Sequence, residues 1–307
     1  MKHYSVMKDE SLLGLNVKED GIYVDATLGY AGHSSEILKR IKRGFLFAFD
    51  QDEEAIKFSD ELLSSIGQNY KIIHSNFVNL KKCLKENNIE QVDGILFDLG
   101  LSSPQIDDKA RGFSFMQDSD LDMRMDKSKS FKATDVVNNY SVEELTEIFF
   151  NYGEENKSKF IARAIVDYRK KSKIQTTKEL VNIIRLSVGE KYFNINHPER
   201  QIFQAIRIEV NNELNVLRDV LPDAISMLKV GGRISVITFH SLEDKIVKQV
   251  FKKYSEVDEI VKGLPVIPDE YKPLIKLVNK KPLVATNKEL SENSRSKSAK
   301  LRIIERI

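Results

Sequence analysis

The sequence predicts an α/β protein, a doubly wound and mostly parallel sheet interrupted by a largely helical insertion. Three observations predict it. Short apolar runs alternate with helically spaced segments through about the first hundred residues. The second and fourth of those runs end on an acid, Asp50 and Asp98. The alternation then stops at Leu99, and a strand pattern returns only at Gly232. Strands that alternate with helices need right-handed crossovers and give a parallel sheet.

Each element follows from its local pattern. Gly21–Thr27 is an apolar run that closes on a glycine loop, and Gly32–Ile41 has helical spacing through Ile37, Leu38 and Ile41. Gly44–Asp50 is a second buried-strand run, and Glu53–Ile66 is helical. Tyr70–His74 is a third strand, Leu80–Glu86 a helix and Val92–Asp98 a fourth strand. Leu99 to about Lys132 contains no strand run. Val142 to about Val188 reads as helices, with Ser141 before Glu144 and Thr176 before Glu179 as start signals. Ile202–Leu228 reads as one long helix broken or kinked at Pro222. Gly232–Phe239 is a strand, a helix follows from Glu243 to about Tyr254, and Lys300–Arg306 is strand-like. The expected domains are therefore 1–106 and 214–307, forming one sheet domain in two parts, with 107–213 inserted between them.

Composition narrows the function. Hydrophobic residues make up 41% and charged residues 31% of the 307, enough apolar material for a sizeable core. The single cysteine, Cys83, excludes a disulfide within the chain and any multi-cysteine metal site, and a reducing cytoplasm is the expected compartment. No apolar run approaches the ~20 residues that span a bilayer, and Lys8-Asp9-Glu10 comes too soon for a signal peptide. The net charge of +2 hides an uneven distribution. Lys272–Arg306 holds ten Lys/Arg against three Asp/Glu, and Asn156–Ile174 holds seven against Asp167 alone. Two basic stretches suit a phosphate-rich partner, or are a solvated helix face and a basic tail.

Asp25-Ala26-Thr27-Leu28-Gly29-Tyr30-Ala31-Gly32-His33-Ser34 places a glycine loop between a strand and a helix, where doubly wound sheets bind ligands. Asp50, eighteen residues beyond Gly32, is placed to accept hydrogen bonds from ribose hydroxyls. The loop departs from G-x-G-x-x-G, which disfavours a dinucleotide. An acid in the preceding strand suits the cationic methionine part of S-adenosylmethionine, and loop amides suit its carboxylate. His33 is either a ligand contact or a residue of the helix start. Asp98-Leu99-Gly100-Leu101-Ser102-Ser103-Pro104-Gln105 ends the fourth strand with acceptors suited to an exocyclic amine. It carries one proline and no following aromatic, so Phe113 or Phe115 is the candidate for base stacking. Asp122, Arg124 and Asp126 read as loop-organising ion pairs rather than a metal site, and no metal is expected. Ser241 with Asp244 reads as a helix N-cap.

Together these strings resemble the ribosomal RNA small subunit methyltransferase H family, also called MraW. The resemblance runs nearly end to end and is most specific at Leu121-Asp122-Met123-Arg124-Met125-Asp126 and Phe239-His240-Ser241-Leu242-Glu243-Asp244. It implies a Rossmann-like class I S-adenosylmethionine-dependent methyltransferase sheet with an inserted mostly helical domain for substrate recognition. It implies methylation of cytosine N4 in the decoding centre of 16S rRNA, with the RNA free or within the small ribosomal subunit. Cofactor contacts are implied at Ala31, Gly32, His33, Asp50, Phe77, Asp98 and Gln105. Asp98 is the expected catalytic acceptor, with Ser102 and Ser103 as helpers. Many members have glycine where this chain has Ala31. A DNA cytosine-N4 methyltransferase shares the loop chemistry and is the rival expectation. The sequence admits a monomer or a homodimer.

Overall fold

In the computed structural model, residues 5–307 except Lys262 are described, with the side chains of all of these except Ser103 and Glu270. The chain divides into two compact units, 1–100 with 214–307, and 101–213.

The first unit begins with a helix the sequence pattern did not reveal, α1 (Lys8–Leu15). The alternating elements follow as β1 (Ile22–Asp25), α2 (Gly32–Arg40), β2 (Phe45–Asp50), α3 (Glu53–Ser64), β3 (Tyr70–His74), α4 (Leu80–Glu86) and β4 (Val92–Asp98). Val24, Leu46, Ala48, Phe49, Ile95, Leu96 and Phe97 are all buried. Near-continuous burial is what parallel strands covered on both faces require. α3 starts at a short polar side-chain cap. Asp52 accepts the Glu54 N–H at 3.1 Å, and Ala55, Ser59 and Leu63 then line the buried face of α3.

The second unit is helical: α5 (Ser103–Asp107), α6 (Ala133–Asn139), α7 (Val142–Asn151), α8 (Ser158–Arg169), α9 (Thr177–Val188), α10 (Glu190–Asn196) and α11 (Pro198–Asn211). Ser141 with Glu144 and Thr176 with Glu179 form reciprocal capping boxes at α7 and α9, as their spacing predicts. Its core gathers Leu145, Phe149, Ile161, Ile165, Leu180, Ile184, Phe203 and Ile206. Arg111, almost fully buried, donates to the carbonyls of Arg124 and Met125 at 3.1 Å each. The turn at Gly112 runs at φ +67°, and an added Cβ would lie 2.2 Å from the Asp120 carbonyl. Phe113 lies under the Arg111 guanidinium and Phe115 packs edge-on against Phe203. Both aromatics expected to stack on a base are thus occupied in packing within this unit.

The chain returns through α12 (Glu213–Ser226), β5 (Leu228–Thr238), α13 (Ser241–Ser255), β6 (Ile275–Leu277), β7 (Leu283–Val284), α14 (Asn287–Glu292) and β8 (Lys300–Arg306). The sheet order is β3-β2-β1-β4-β5-β8-β6, with β7 also paired to β8. β1 to β5 run parallel, and β8 runs antiparallel between β5 and β6.

Two expectations are corrected. The long helix predicted over 202–228 is two helices, and the break lies at Asn212 (φ +52°), not at Pro222, which sits inside α12. Asparagine tolerates the left-handed region, which is what ends α11. The N-cap of α13 is His240 rather than Ser241. Glu243 accepts the Phe239 and His240 N–H groups, while Asp244 turns away to a two-pronged ion pair with Arg302. Among the described residues, no helix is long and apolar enough to cross a membrane.

Candidate active site at the carboxyl edge of the sheet

Strand register assembles the site. Asp25 on β1 pairs with Ala48 on β2 and with Leu96 on β4. Asp50 and Asp98 each lie two residues beyond those partners, level with one another on either side of the loop leaving β1. With strands ~4.8 Å apart, the two carboxylates flank a gap about two strand spacings wide.

The loop between them is held by those acids. Asp50 Oδ2 accepts the Gly29 N–H at 2.7 Å, and Asp50 Oδ1 accepts the Asp52 N–H at 2.9 Å. Asp25 accepts the Ser34 hydroxyl at 2.7 Å and the Thr27 N–H at 3.1 Å. Thr27 Oγ1 in turn accepts the Asp98 N–H at 2.7 Å, tying β4 to the loop. Ser59 of α3 donates to the Gly29 carbonyl at 2.8 Å. Gly29 (φ +50°) and Ala31 (φ +57°) both take left-handed backbone so that the chain can turn into α2. Glycine does this without strain, whereas alanine pays about 1–2 kcal/mol.

The electrostatics are unusual for a buried region. His33 and Asp25 are buried, and His33 Nε2 lies 3.4 Å from Asp98 Oδ2. That is ion-pair distance without hydrogen-bond geometry. Among the described residues, neither His33 ring nitrogen nor Asp98 Oδ1 has a hydrogen-bond partner, although all three atoms are buried. Burial alone would lower the His33 pKa, but Asp98 and then Asp25 outweigh it and raise it. Burial raises the Asp25 carboxyl against the pull of His33, Ser34 and the Thr27 amide. Burial pushes Asp50 up to about 6 in spite of its amide hydrogen bonds. Buried polar atoms without partners are costly, and here they gather where a ligand would supply the missing contacts.

The predicted site residues thus divide. Ala31, Gly32, His33, Asp50 and Asp98 come together at this edge in the first unit. Phe77 sits in the 3-10 turn after β3 and meets Phe97 edge-on, with ring centroids 5.7 Å apart. Ser102 and Gln105 open α5 in the second unit as a capping box. Ser102 Oγ accepts the Gln105 N–H at 3.3 Å, and the Gln105 side-chain oxygen accepts the Ser102 N–H at 3.1 Å. The Ser103 side chain lies outside the described residues. Sequence reasoning assigned no role to Thr27, Ser34 or Ser59. Their spacing from Asp25 and Gly29 becomes informative only once the strand register is known.

A sheet of five parallel strands with one antiparallel strand inserted before the edge, and a carboxylate-held glycine loop after β1, is the fold of class I S-adenosylmethionine-dependent methyltransferases. The chain belongs to the MraW methylase family, whose model matches residues 1–307. Its cofactor is accordingly S-adenosylmethionine. Solved structures with similar architecture include an rRNA methylase from Streptococcus thermophilus, at 12% identity and TM-score 0.46, covering 99% of this chain and 98% of that one. A Streptococcus mutans protein solved in complex with SAH matches at 13% identity and TM-score 0.44, covering 99% of each chain.

The residues present fit the cofactor. Asp50 offers acceptors for a ribose, Phe77 offers an apolar face for adenine, and the partnerless Asp98 Oδ1 beside Asp25 offers negative charge to a sulfonium and ammonium.

Proposed function

We propose that this protein methylates N4 of a cytosine in 16S rRNA, at the decoding-centre position numbered 1402. The observation that carries the reading is Asp98, at the carboxyl end of β4, with one buried oxygen lacking a partner and the other beside buried His33. When bound, S-adenosylmethionine supplies a methyl group already activated on its sulfonium. The chain's own residues then have two tasks. Ala31, Gly32, His33, Asp50 and Phe77 hold the cofactor. Asp98 Oδ1 accepts a hydrogen bond from the N4 amine and takes its proton as positive charge develops on nitrogen. His33 stands beside the other Asp98 oxygen, 3.4 Å away.

The target base has to leave its stack to reach such an acceptor, so the enzyme needs to grip the RNA around it. Residues 107–213 are proposed as the substrate-recognition insert, acting with the basic 272–306 segment in the cytoplasm, where ribosomal RNA is made. The test offers labelled S-adenosylmethionine with 30S subunits, naked 16S rRNA and cytosine-rich duplex DNA, followed by nucleoside digestion and mass spectrometry. N4-methylcytidine from ribosomal RNA alone is expected. Label confined to DNA would transfer the reading to a DNA cytosine-N4 methyltransferase, and no label with cofactor binding intact would overturn it.

A further inference from the structure

The basic stretch 157–173 is less uniform in the structure than in the sequence. Three of its seven cations are already spent. Lys157 lies 4.0 Å over the Tyr192 ring, Arg169 donates to the Val137 carbonyl at 2.8 Å, and Lys170 pairs with Asp167 at 2.7 Å. The side chains of Lys159, Arg163, Lys171 and Lys173 are exposed and, among the described residues, make no ion pair or hydrogen bond. The only acid of this stretch, Asp167, lies about 20° from Phe160 around the helix, and Lys170 first, then Arg163 and Lys171, hold it below its usual carboxylate range.

The same face carries an aromatic ring with no packing role. Phe160 is 63% exposed and forms no ring contact among the described residues. At about 100° per residue, Arg163 lies about 40° from Lys159 around α8, and Phe160 about 60° beyond Arg163. Tyr168, 38% exposed, lies about 80° beyond Phe160 and opposite Lys159 around the helix, at the edge of the buried arc and off this face. The buried side of α8 is the opposite arc, through Ser158, Ile161, Ala162 and Ile165.

The neighbouring helix supplies a contrast. On α7, Phe150 is 61% exposed, but it shares its surface with Glu143 and Glu147, both also exposed. Phosphate would be repelled there. Exposed aromatics interleaved with unpaired cations are the arrangement that binds single-stranded nucleic acid, with rings stacking on bases and cations tracking the backbone.

We infer that the exposed face of α8 carrying Lys159, Phe160 and Arg163, together with Lys171 and Lys173 in the segment after the helix, is a docking surface for an unstacked RNA strand. The inference rests on the RNA reading proposed above and deepens it by naming the face, the form of the RNA and the role of each residue. Phe160 stacks on a base, and the four free cations neutralise phosphates. The spent cations Lys157 and Arg169 contribute little.

The test measures binding of the full chain to single-stranded polycytidylate and to duplex RNA of equal length across a salt series, with methyl transfer to ribosomal RNA measured in parallel. Phe160→Ala is expected to weaken single-strand binding about tenfold at every salt concentration. Phe150→Ala should leave it unchanged. Replacing Lys159, Arg163, Lys171 and Lys173 by alanine should reduce the slope of log affinity against log salt by about 0.7 per lost phosphate contact. Unaltered binding in Phe160→Ala, or equal losses in Phe160→Ala and Phe150→Ala, would overturn the surface while leaving rRNA methylation standing. So would self-association in the native chain that Phe160→Ala abolishes. Native protein that transfers no methyl group to ribosomal RNA would instead remove the reading on which the surface rests. Unchanged S-adenosylhomocysteine binding and circular dichroism check that each variant is folded.

Discussion

Two loops in this molecule crowd acids and bases together, and they use them in opposite ways. Around Leu121–Asp126, polar groups are consumed in holding backbone. Arg124 grips both oxygens of Asp122 at 2.8 and 2.6 Å and reaches the carbonyls of Lys127 and Lys129. Asn211 accepts the Met125 N–H and donates to the Met123 carbonyl, each at 2.8 Å. Around Asp25, Asp50 and Asp98, carboxylates outnumber cations and buried atoms remain without partners. The first pattern is a scaffold, since satisfied networks rigidify. The second keeps binding capacity in reserve, which is the property of a site.

The largest effect that could break this contrast is at Asp98. Asp98→Ala should lower methyl-transfer turnover by about 10²–10⁴-fold, the range for removing a positioned proton acceptor, and should weaken S-adenosylhomocysteine binding by far less than it lowers turnover. Single-turnover kinetics with parallel calorimetry checks this. Near-normal turnover would make the Asp98–His33 pair structural and erase the distinction between the two loops.

Arg111→Met should do the reverse. The guanidinium is buried and serves the Arg124 and Met125 carbonyls, so its loss leaves both acceptors dry at a cost of about 3 kcal/mol. Urea denaturation should show lower stability, and S-adenosylhomocysteine binding by the folded protein should survive. Weakened cofactor binding at unchanged stability would make the scaffold part of the site.

The difference between these loops was only partly legible in the sequence. The strands are legible because parallel strands covered on both faces must be apolar throughout, as Phe45–Phe49 and Ile95–Phe97 are. Asp50 and Asp98 stand out because an acid ends each run. The position of the helix break was not legible. Proline marks a break by a general rule, but Pro222 is accommodated within α12 and Asn212 takes the left-handed turn. Nor could spacing tell spent groups from free ones. Phe113, Phe115 and Phe160 look alike in the chain, yet only Phe160 is left exposed. That sorting depends on contacts between residues far apart in sequence, such as Phe115 with Phe203.

Asp50 gives a pH test of the open side. Its carboxyl is pushed up to about 6 by burial, and the ionised form is the better acceptor for ribose hydroxyls. Adenosine affinity should therefore hold above pH 6 and weaken as pH falls through it, approaching tenfold per unit. Asp50→Asn should bind more weakly and lose the pH dependence. Affinity flat from pH 5 to 8 in the native chain would remove Asp50 from ribose binding.

His33 sharpens the comparison through stability. The groups acting on it are Asp98 and Asp25, with Lys8 opposing them and Glu289 also within electrostatic reach. Its pKa in the folded protein is raised above the ordinary 6.5, so the folded state binds its proton more tightly. The stabilisation is fully present below pH 6.5 and is lost as pH rises through the folded value. The slope is at most about 1.4 kcal/mol per pH unit. Subtracting the denaturation profile of His33→Gln from that of the native chain isolates the contribution of His33 together with its coupling to Asp25 from that of Asp50. A difference that is constant above pH 6.5 would mean that His33 is neutral in the fold.

The smallest effect belongs to Ala31. Its left-handed backbone costs about 1–2 kcal/mol, but its methyl is fully buried beside Leu28 and Ile37 and contributes about 0.8 kcal/mol. Glycine would also gain entropy in the unfolded chain. These terms nearly cancel, so Ala31→Gly should change stability by less than about 1 kcal/mol and S-adenosylhomocysteine affinity by less than about threefold. A large gain in affinity would show that the methyl obstructs the loop. A large loss of stability would show that the methyl, rather than the carboxylates around it, holds the loop in place.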